Sequence, residues 1–307
     1  MSRIFEALRQ SEMEVMAGLD SSAPVDPAPG QLTAPELSPA PEDPPAPAPA
    51  FAPALDLSQL TTITPQPLVP GVLVAMSDER GLGAEKFRVL ATRLSNIRRN
   101  TPLKILQITS SVLGEGKTLV SSNLAVTLAK RSSQSVLLIE GDLRKPAVCP
   151  VFGLPFLEGV GDWWRQKDSS ILPFLRRVKD SSLVLLGAGA VAHPVSILQS
   201  GRLTDLMRQL AGWFDWIIVD TPPLLPIADS NLWARLVDGT LMVIREGVVQ
   251  RRSLKSAIDS MDSPKLVGVV INDAHDFDRI DYYGRYAYGY GTDQSTPPKK
   301  PKKDARK

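Results

Sequence analysis

The sequence predicts an α/β fold: a mostly parallel sheet with helices on both faces. From about residue 84 onwards, short apolar runs alternate with segments of helical periodicity, and several of the runs are rich in valine and isoleucine. Strands of a parallel sheet covered on both faces have this near-continuous apolar character. The first run leads into a glycine-rich loop and then directly into a predicted helix.

Two helices and six strands can be placed from periodicity alone. The first helix is predicted over Ala84 to Arg99, where Phe87 and Leu90 fall on one face, and the second over Lys117 to Arg131. The predicted strands cover residues 103–109, 136–139, 183–186, 216–219, 240–244 and 266–271.

The N-terminal part of the chain has a different composition. Residues 1–20 have apolar side chains at roughly helical spacing, which predicts a short amphipathic helix that docks on a partner. Fourteen of the 27 prolines fall in residues 21–70, a stretch without lysine or arginine. We therefore expect residues 21–74 to be a disordered Pro/Ala-rich linker, and residues 75–280 to form the globular domain.

Composition excludes several classes of protein. One cysteine, Cys149, and two histidines cannot form an internal disulfide or a Cys/His zinc site. No apolar run approaches the 18 or so residues that cross a bilayer, and no signal peptide is expected, which favours the cytosol. The basic residues 292–307 are expected to be a disordered, solvated tail, and no nucleic-acid partner is expected.

The glycine-rich loop has the sequence of a Walker A phosphate loop. It ends in Gly114-Glu115-Gly116-Lys117-Thr118 between a predicted strand and a predicted helix, although Ser111 stands where the first glycine of that motif is usual. Backbone N–H groups of such a loop bind phosphate oxygens. Lys117 is expected to neutralise the β- and γ-phosphates, and Thr118 to bind Mg²⁺.

Acidic residues follow two further predicted strands. Glu140 and Asp142 come after the strand at 136–139, and Asp220 comes after the strand at 216–219. Because the carboxyl ends of parallel strands frame the ligand crevice, we expect the three carboxylates to converge on the metal and the γ-phosphate. Lys117, Glu140, Asp142 and Asp220 are the candidate catalytic residues, with Thr118, Asp142 and Asp220 as candidate metal ligands.

All five tyrosines of the chain lie close together near its C-terminus, within residues 281–291. Glycines separate them, which predicts a flexible segment. The tyrosines are Tyr282, Tyr283, Tyr286, Tyr288 and Tyr290.

These motifs, in this order, resemble those of the bacterial tyrosine kinases, which are P-loop ATPases. The phosphate loop with Ser110 and Ser111, the Ile139 to Arg144 segment, and Asp220-Thr221-Pro222-Pro223 carry the resemblance. It implies ATP and Mg²⁺ as cofactors and autophosphorylation in trans on the tyrosine cluster. It also implies a role in polysaccharide polymerisation and export, on the inner face of the membrane.

The resemblance further implies partners: a separate membrane-embedded polysaccharide co-polymerase as activator, a protein-tyrosine phosphatase, and other copies of the chain. Glu85 and Arg88 match part of the family's oligomerisation motif, but Ala91 replaces its second arginine. Asn272 is expected to face the adenine ring. Glu140 stands where the family has an aspartate that orients the tyrosine hydroxyl, so a slow or partner-dependent kinase is expected.

Two other functions remain open from the sequence. One is a nucleotide-binding regulatory adaptor with little or no kinase activity, which the Glu140 substitution favours. The other is an ATPase switch of the ParA or MinD type, which shares the fold and the Walker motifs. That class has a signature lysine early in its phosphate loop, where this chain has Ser110 and Ser111.

Overall fold

The structure is a computed structural model that describes residues 55–131, 134–167, 169–225, 228–261 and 265–274. The described residues form one eight-stranded sheet with the order β1-β4-β5-β3-β6-β2-β7-β8. Neighbouring strands are parallel except for the β4–β5 pair, which is antiparallel. The strands are β1 (Thr61–Ile63), β2 (Ile105–Ser110), β3 (Val136–Glu140), β4 (Leu175–Val178), β5 (Leu183–Leu186), β6 (Trp216–Asp220), β7 (Gly239–Arg245) and β8 (Leu266–Asn272).

Helices connect the strands. In chain order they are α1 (Val74–Ser77), α2 (Leu82–Asn100), α3 (Lys117–Ala129), α4 (Val148–Phe152), α5 (Val160–Arg165), α6 (Pro194–Leu198), α7 (Gly201–Trp213), α8 (Asp229–Ala234) and α9 (Arg251–Asp259), with 3₁₀ turns at Leu57–Gln59 and Leu172–Phe174. None of the helices within the described ranges is long and apolar enough to cross a membrane.

Both faces of the sheet are buried, as the apolar runs predict. In β6, Ile217 and Val219 belong to a core cluster with α7, whereas Trp216 and Ile218 belong to a second cluster with α2 and α3. Successive side chains of a strand point to opposite faces, so a strand covered on both sides must be apolar throughout. The predicted α/β fold, with its mostly parallel sheet, is confirmed.

Helix α3 lies in the interior and is buried on nearly every side. Its Asn123 is 0% exposed, and its side chain hydrogen-bonds to backbone groups of residues 72–75. The side-chain Oδ1 accepts from the Ala75 N–H at 3.1 Å, and Nδ2 donates to the Val72 carbonyl at 2.9 Å. These bonds fasten residues 72–75 to the helix that follows the phosphate loop.

The predicted linker, residues 21–74, includes residues that the structure places in the folded domain. Residues 61–63 form strand β1, which pairs with β4 in the sheet, and Leu60 and Leu73 are 8% and 1% exposed within the two cores. The proline-rich composition concealed these contacts, because a three-residue strand has too few positions to show a period. Residues 60–73 therefore belong to the domain, in addition to the predicted range 75–280.

The six predicted strands and both predicted helices are present, with ends shifted by at most two residues. The sequence missed β1 and β4, which are short and carry polar side chains. The predicted N-terminal helix, most of the linker, the tyrosine cluster and the basic tail lie outside the described residues.

Candidate active site

The phosphate loop connects the end of β2 to the start of α3. Gly114 and Gly116 have φ angles of 85° and 92°, a left-handed conformation that side chains disfavour. Consecutive N–H groups in such a loop point to one side, and the positive end of the α3 dipole adds to their field. Such a loop can bind an anion through its backbone N–H groups.

Two contacts join the start of α3 to neighbouring strand ends. The Lys117 ammonium lies 3.3 Å from Asp142 Oδ2, and the Thr118 hydroxyl donates to Asp220 Oδ2 at 2.7 Å. Strand β6 lies between β2 and β3 in the sheet, so the loops after all three strands meet at one edge. The structure thus brings Lys117, Thr118, Asp142 and Asp220 together, as the sequence predicts.

Asp220 has the character of a metal ligand. It is 0% exposed, and its Oδ1 atom has no hydrogen-bond partner among the described residues. Burial raises the pKa of Asp220 to about 6, although the charge of Lys117 and the Thr118 hydrogen bond act in the opposite direction. An unpaired carboxylate oxygen beside a hydroxyl suits Mg²⁺, which prefers hard oxygen ligands.

Glu140 lies beside Asp142, and its Oε1 atom accepts from the Asp142 N–H at 3.3 Å. The residue is 0% exposed, and its Oε2 atom accepts from the N–H groups of Ala147 and Val148 at 2.6 and 2.7 Å. Its carboxyl group therefore binds the backbone at the start of α4. Burial, followed by the charge of Asp220, raises the pKa of Glu140 to about 8.

Two other predicted site residues contact the loop itself. Only the backbone of Glu115 can face a phosphate, because its side chain is 0% exposed and accepts from the Val112 N–H at 2.7 Å. Asn272, at the end of β8, donates from Nδ2 to the Glu115 carbonyl at 3.0 Å. Asn272 therefore borders the loop, next to the cleft in which an adenine ring is expected.

Sequence reasoning missed the residues that hold the loop after β3. Arg144 makes a two-point ion pair with the buried Asp229 of α8, at 2.8 and 3.1 Å. Trp233 of the same helix donates from its indole N–H to the Gly141 carbonyl at 3.0 Å. Nothing in the sequence pairs residues so far apart, since an acid at the start of a helix usually indicates a capping role.

The predicted oligomer residues lie away from this cleft. Glu85 and Arg88 form an exposed ion pair on α2, with the Arg88 Nε atom 2.7 Å from Glu85 Oε2. They line a cavity of about 590 Å³ together with Lys130 and Arg131, which follow the C-terminal end of α3. The phosphate loop adjoins the opposite end of α3, so the two sites lie about 20 Å apart.

The chain is similar to several known proteins. It is 30% identical over 223 residues to the tyrosine-protein kinase YwqD of Bacillus subtilis, across 72% of this chain and 91% of that protein. It is 27% identical over 237 residues to the succinoglycan biosynthesis transport protein ExoP of Rhizobium meliloti, across 70% of this chain and 29% of that protein. No family model matches the chain.

A solved structure is also similar. The kinase domain of the Escherichia coli tyrosine kinase ETK superposes with a TM-score of 0.61 at 27% identity, across 65% of this chain and 79% of that one. Together with the phosphate loop and its strand-end carboxylates, this likeness defines an α/β nucleotide-binding protein of the P-loop class. The similarity to YwqD covers 91% of that kinase at 30% identity, which is enough to identify the family. The chain belongs to the family of bacterial tyrosine kinases.

Proposed function

We propose that this chain transfers the γ-phosphate of ATP to tyrosines of its own C-terminal cluster, in trans between copies. The observation that carries the proposal is the convergence of Lys117, Thr118, Asp142 and Asp220 at one sheet edge. All five tyrosines of the chain follow that domain in the sequence. A clustered set of acceptor hydroxyls fits a kinase better than it fits a simple ATPase switch.

The roles of the residues follow from charge and position. Phosphoryl transfer depends mainly on orientation and on neutralising negative charge, so the loop backbone and Lys117 hold the β- and γ-phosphates. Thr118, Asp142 and Asp220 would hold Mg²⁺, which supplies further charge neutralisation when it is bound. Glu140 acts through the backbone that it holds, keeping the loop that carries Asp142 in place.

The test is tandem mass spectrometry of the C-terminal peptide after incubation of the full chain with Mg·ATP. It is run alone and with the cytosolic tail of a candidate activator. Lys117→Met serves as the inactive variant, and Lys167→Met, which removes an exposed lysine, is the matched control. We expect phosphate on Tyr282 to Tyr290 in the wild type and in Lys167→Met, and none in Lys117→Met.

One observation favours a second function, a regulatory adaptor with little kinase activity. Glu140 stands where the family has an aspartate, and the N–H groups of Ala147 and Val148 bind its Oε2 atom, which leaves that oxygen less free to orient an acceptor hydroxyl. An unmodified cluster in every condition, with ATP binding intact by calorimetry, would support the adaptor and contradict the kinase.

We further propose that the kinase regulates polysaccharide polymerisation and export. The name of the relative ExoP supports this role. A separate membrane-embedded co-polymerase would then activate the chain at the inner face of the membrane, and a phosphatase would reverse the modification. Co-sedimentation with membranes that contain or lack the co-polymerase tests this localisation.

Self-association through Glu85 and Arg88 is also proposed. Arg88 bonds to Glu85 and to the Glu79 carbonyl at 2.7 Å, so its guanidinium is held at the protein surface. Sedimentation velocity of Arg88→Ala, with Arg208→Ala of the exposed α7 pair as the matched control, checks the interface. A loss of assembly in Arg88→Ala alone is expected, and equal assembly in both variants would contradict the interface.

A further inference from the structure

The buried Glu115 side chain links the phosphate loop to strand β7. Its Oε2 atom accepts from the Val112 N–H at 2.7 Å, within the loop, and Oε1 accepts from the Arg245 N–H at 3.3 Å. Arg245 is the last residue of β7. One carboxylate thus satisfies backbone donors from two segments that are far apart in the sequence. Buried donors of this kind are costly to leave unpaired.

Strand β8 is fastened to the same loop through Asn272. The Asn272 Nδ2 atom lies 3.0 Å from the Glu115 carbonyl oxygen, and a Cβ atom added at Gly116 would lie 2.1 Å from that nitrogen. Only a glycine at position 116 allows this approach. The Asn272 carbonyl in turn accepts from the Glu246 N–H at 3.2 Å, which joins the ends of β7 and β8.

These contacts matter because β8 is the edge strand of the sheet as far as the described residues go. Within them it pairs with β7 alone, and Val269 and Ile271 are each 46% exposed. Edge strands with few buried contacts open most easily. The bond from Asn272 to the phosphate loop therefore adds to the pairing with β7 and to the Arg245–Asp273 ion pair in holding the carboxyl end of β8.

The chain runs from this end of β8 towards the tyrosine cluster. Asn272 and Asp273 come directly before the segment that leads to Tyr282. We propose that Glu115 is a positioning residue that ties the phosphate loop to the root of the acceptor segment. Binding of nucleotide in the loop then also fixes the point from which the acceptor tyrosines extend. This inference rests on the proposed kinase function, which it extends to the delivery of the acceptor.

Hydrogen exchange of the full chain, with and without Mg·ADP, tests this tie, which is the connection from the phosphate loop through Glu115 to the ends of β7 and β8. In the wild type, ADP should slow exchange of the Val112 N–H and also of the Arg245 and Glu246 N–H groups. Glu115→Gln keeps the size of the side chain but has only one acceptor oxygen. In this variant, slowing should persist in the loop and fall about fivefold at Arg245, because the Arg245 N–H loses its bond to the Glu115 side chain.

The outcomes separate the tie from the proposed function. Equal slowing at Arg245 in the wild type and in Glu115→Gln overturns the tie, as does slowing that stops at the loop in the wild type. No slowing anywhere in the wild type overturns the proposed function and the tie together. If Glu115→Gln does not fold, Asn272→Asp, which has the same shape but lacks the donor to the Glu115 carbonyl, takes its place. The fivefold fall is then expected at Glu246, whose N–H bonds to the Asn272 carbonyl.

A second measurement compares two acceptors. Phosphate on the chain's own cluster is counted beside phosphate on a free peptide of residues 279–291, whose delivery does not depend on β8. Glu115→Gln should reduce own-cluster labelling about fivefold relative to peptide labelling. The matched control Glu158→Gln, at an exposed glutamate, should leave the ratio as in the wild type. An equal loss with both acceptors would mean that Glu115 only braces the loop, and would overturn the tie.

Discussion

Among single residues, Arg144 determines how firmly the loop after β3 is held. Its guanidinium makes two bonds to Asp229, which is 1% exposed, while Arg144 itself is 43% exposed. Asp229 raises the pKa of Arg144 through this hydrogen bond and its charge. Arg144→Ala would leave a buried carboxylate without its partner, which is far costlier than losing a surface ion pair.

We therefore expect Arg144→Ala to lower the free energy of unfolding by about 1–3 kcal/mol, the lower part of the range for buried pairs because the arginine is partly solvated. Urea unfolding measures the change. Arg208→Ala breaks an ion pair whose two side chains are 72% and 74% exposed, and should cost about 0–1 kcal/mol. Equal losses in the two variants would show that the Arg144 pair is no stronger than a surface pair.

Glu140 should make stability depend on pH. Its pKa is raised from 4.5 to about 8 in the folded chain, chiefly by burial, so the folded state binds this proton more tightly than the unfolded state. The stabilisation from this group is complete below about pH 4.5 and is lost as the pH rises through about 8. Glu140→Gln cannot ionise, so its unfolding temperature should fall less than that of the wild type between about pH 5 and about pH 9.

Thermal unfolding across that pH range checks the effect of Glu140. A difference of about 1 kcal/mol corresponds to roughly 2–4 °C for a domain of this size. Glu158→Gln, at an exposed glutamate, should follow the wild-type curve. Parallel curves for the wild type and Glu140→Gln would rule out a raised pKa at Glu140.

Among the secondary-structure elements, β1 and the 3₁₀ turn before it lie in the proline-rich stretch, and two leucine variants test whether they belong to the domain. Leu60 is 8% exposed and packs in the core, whereas Leu68, in the same proline-rich stretch, is 84% exposed. We expect Leu60→Ala to lower the free energy of unfolding by about 2–3 kcal/mol, from lost burial and the cavity left behind. Leu68→Ala should change it by less than about 0.5 kcal/mol.

Denaturant unfolding of the two leucine variants provides the comparison. The two substitutions are chemically identical, so a difference between them reports only the packing of residues 55–63. Similar stabilities would mean that this segment contributes nothing to the domain, as the composition of the linker suggested.

For the whole molecule, nucleotide should stabilise the fold. A ligand that binds only the folded chain adds about 2.7 kcal/mol at a concentration 100 times its Kd. Mg·ADP should therefore raise the unfolding temperature by several degrees in the wild type and in Lys167→Met. Lys117→Met should respond little, because it lacks the charge that faces Asp142 and the phosphates. A full response in Lys117→Met would place the nucleotide elsewhere.

Much of this chain could be predicted from local sequence. The run from Gly114 to Thr118 requires a particular loop conformation, and near-continuous apolar strands require cover on both faces. That Asp142 and Asp220 lie near the phosphate loop could be expected from the sequence, because parallel strands end at one edge of a sheet. Strand β4, with two arginines among its four residues, lacks such a pattern, and only its pairing with β1 and β5 makes it a strand.

The fold class, the phosphate loop and the charged groups around it follow from short-range sequence patterns. The contacts that those groups make depend on how the chain folds. Glu140 turns inward to the N–H groups of α4, and Glu115 and Asn272 join the loop to β7 and β8. Each of these contacts joins segments that the sequence separates, and the direction in which a side chain points is set by the backbone donors that folding places beside it.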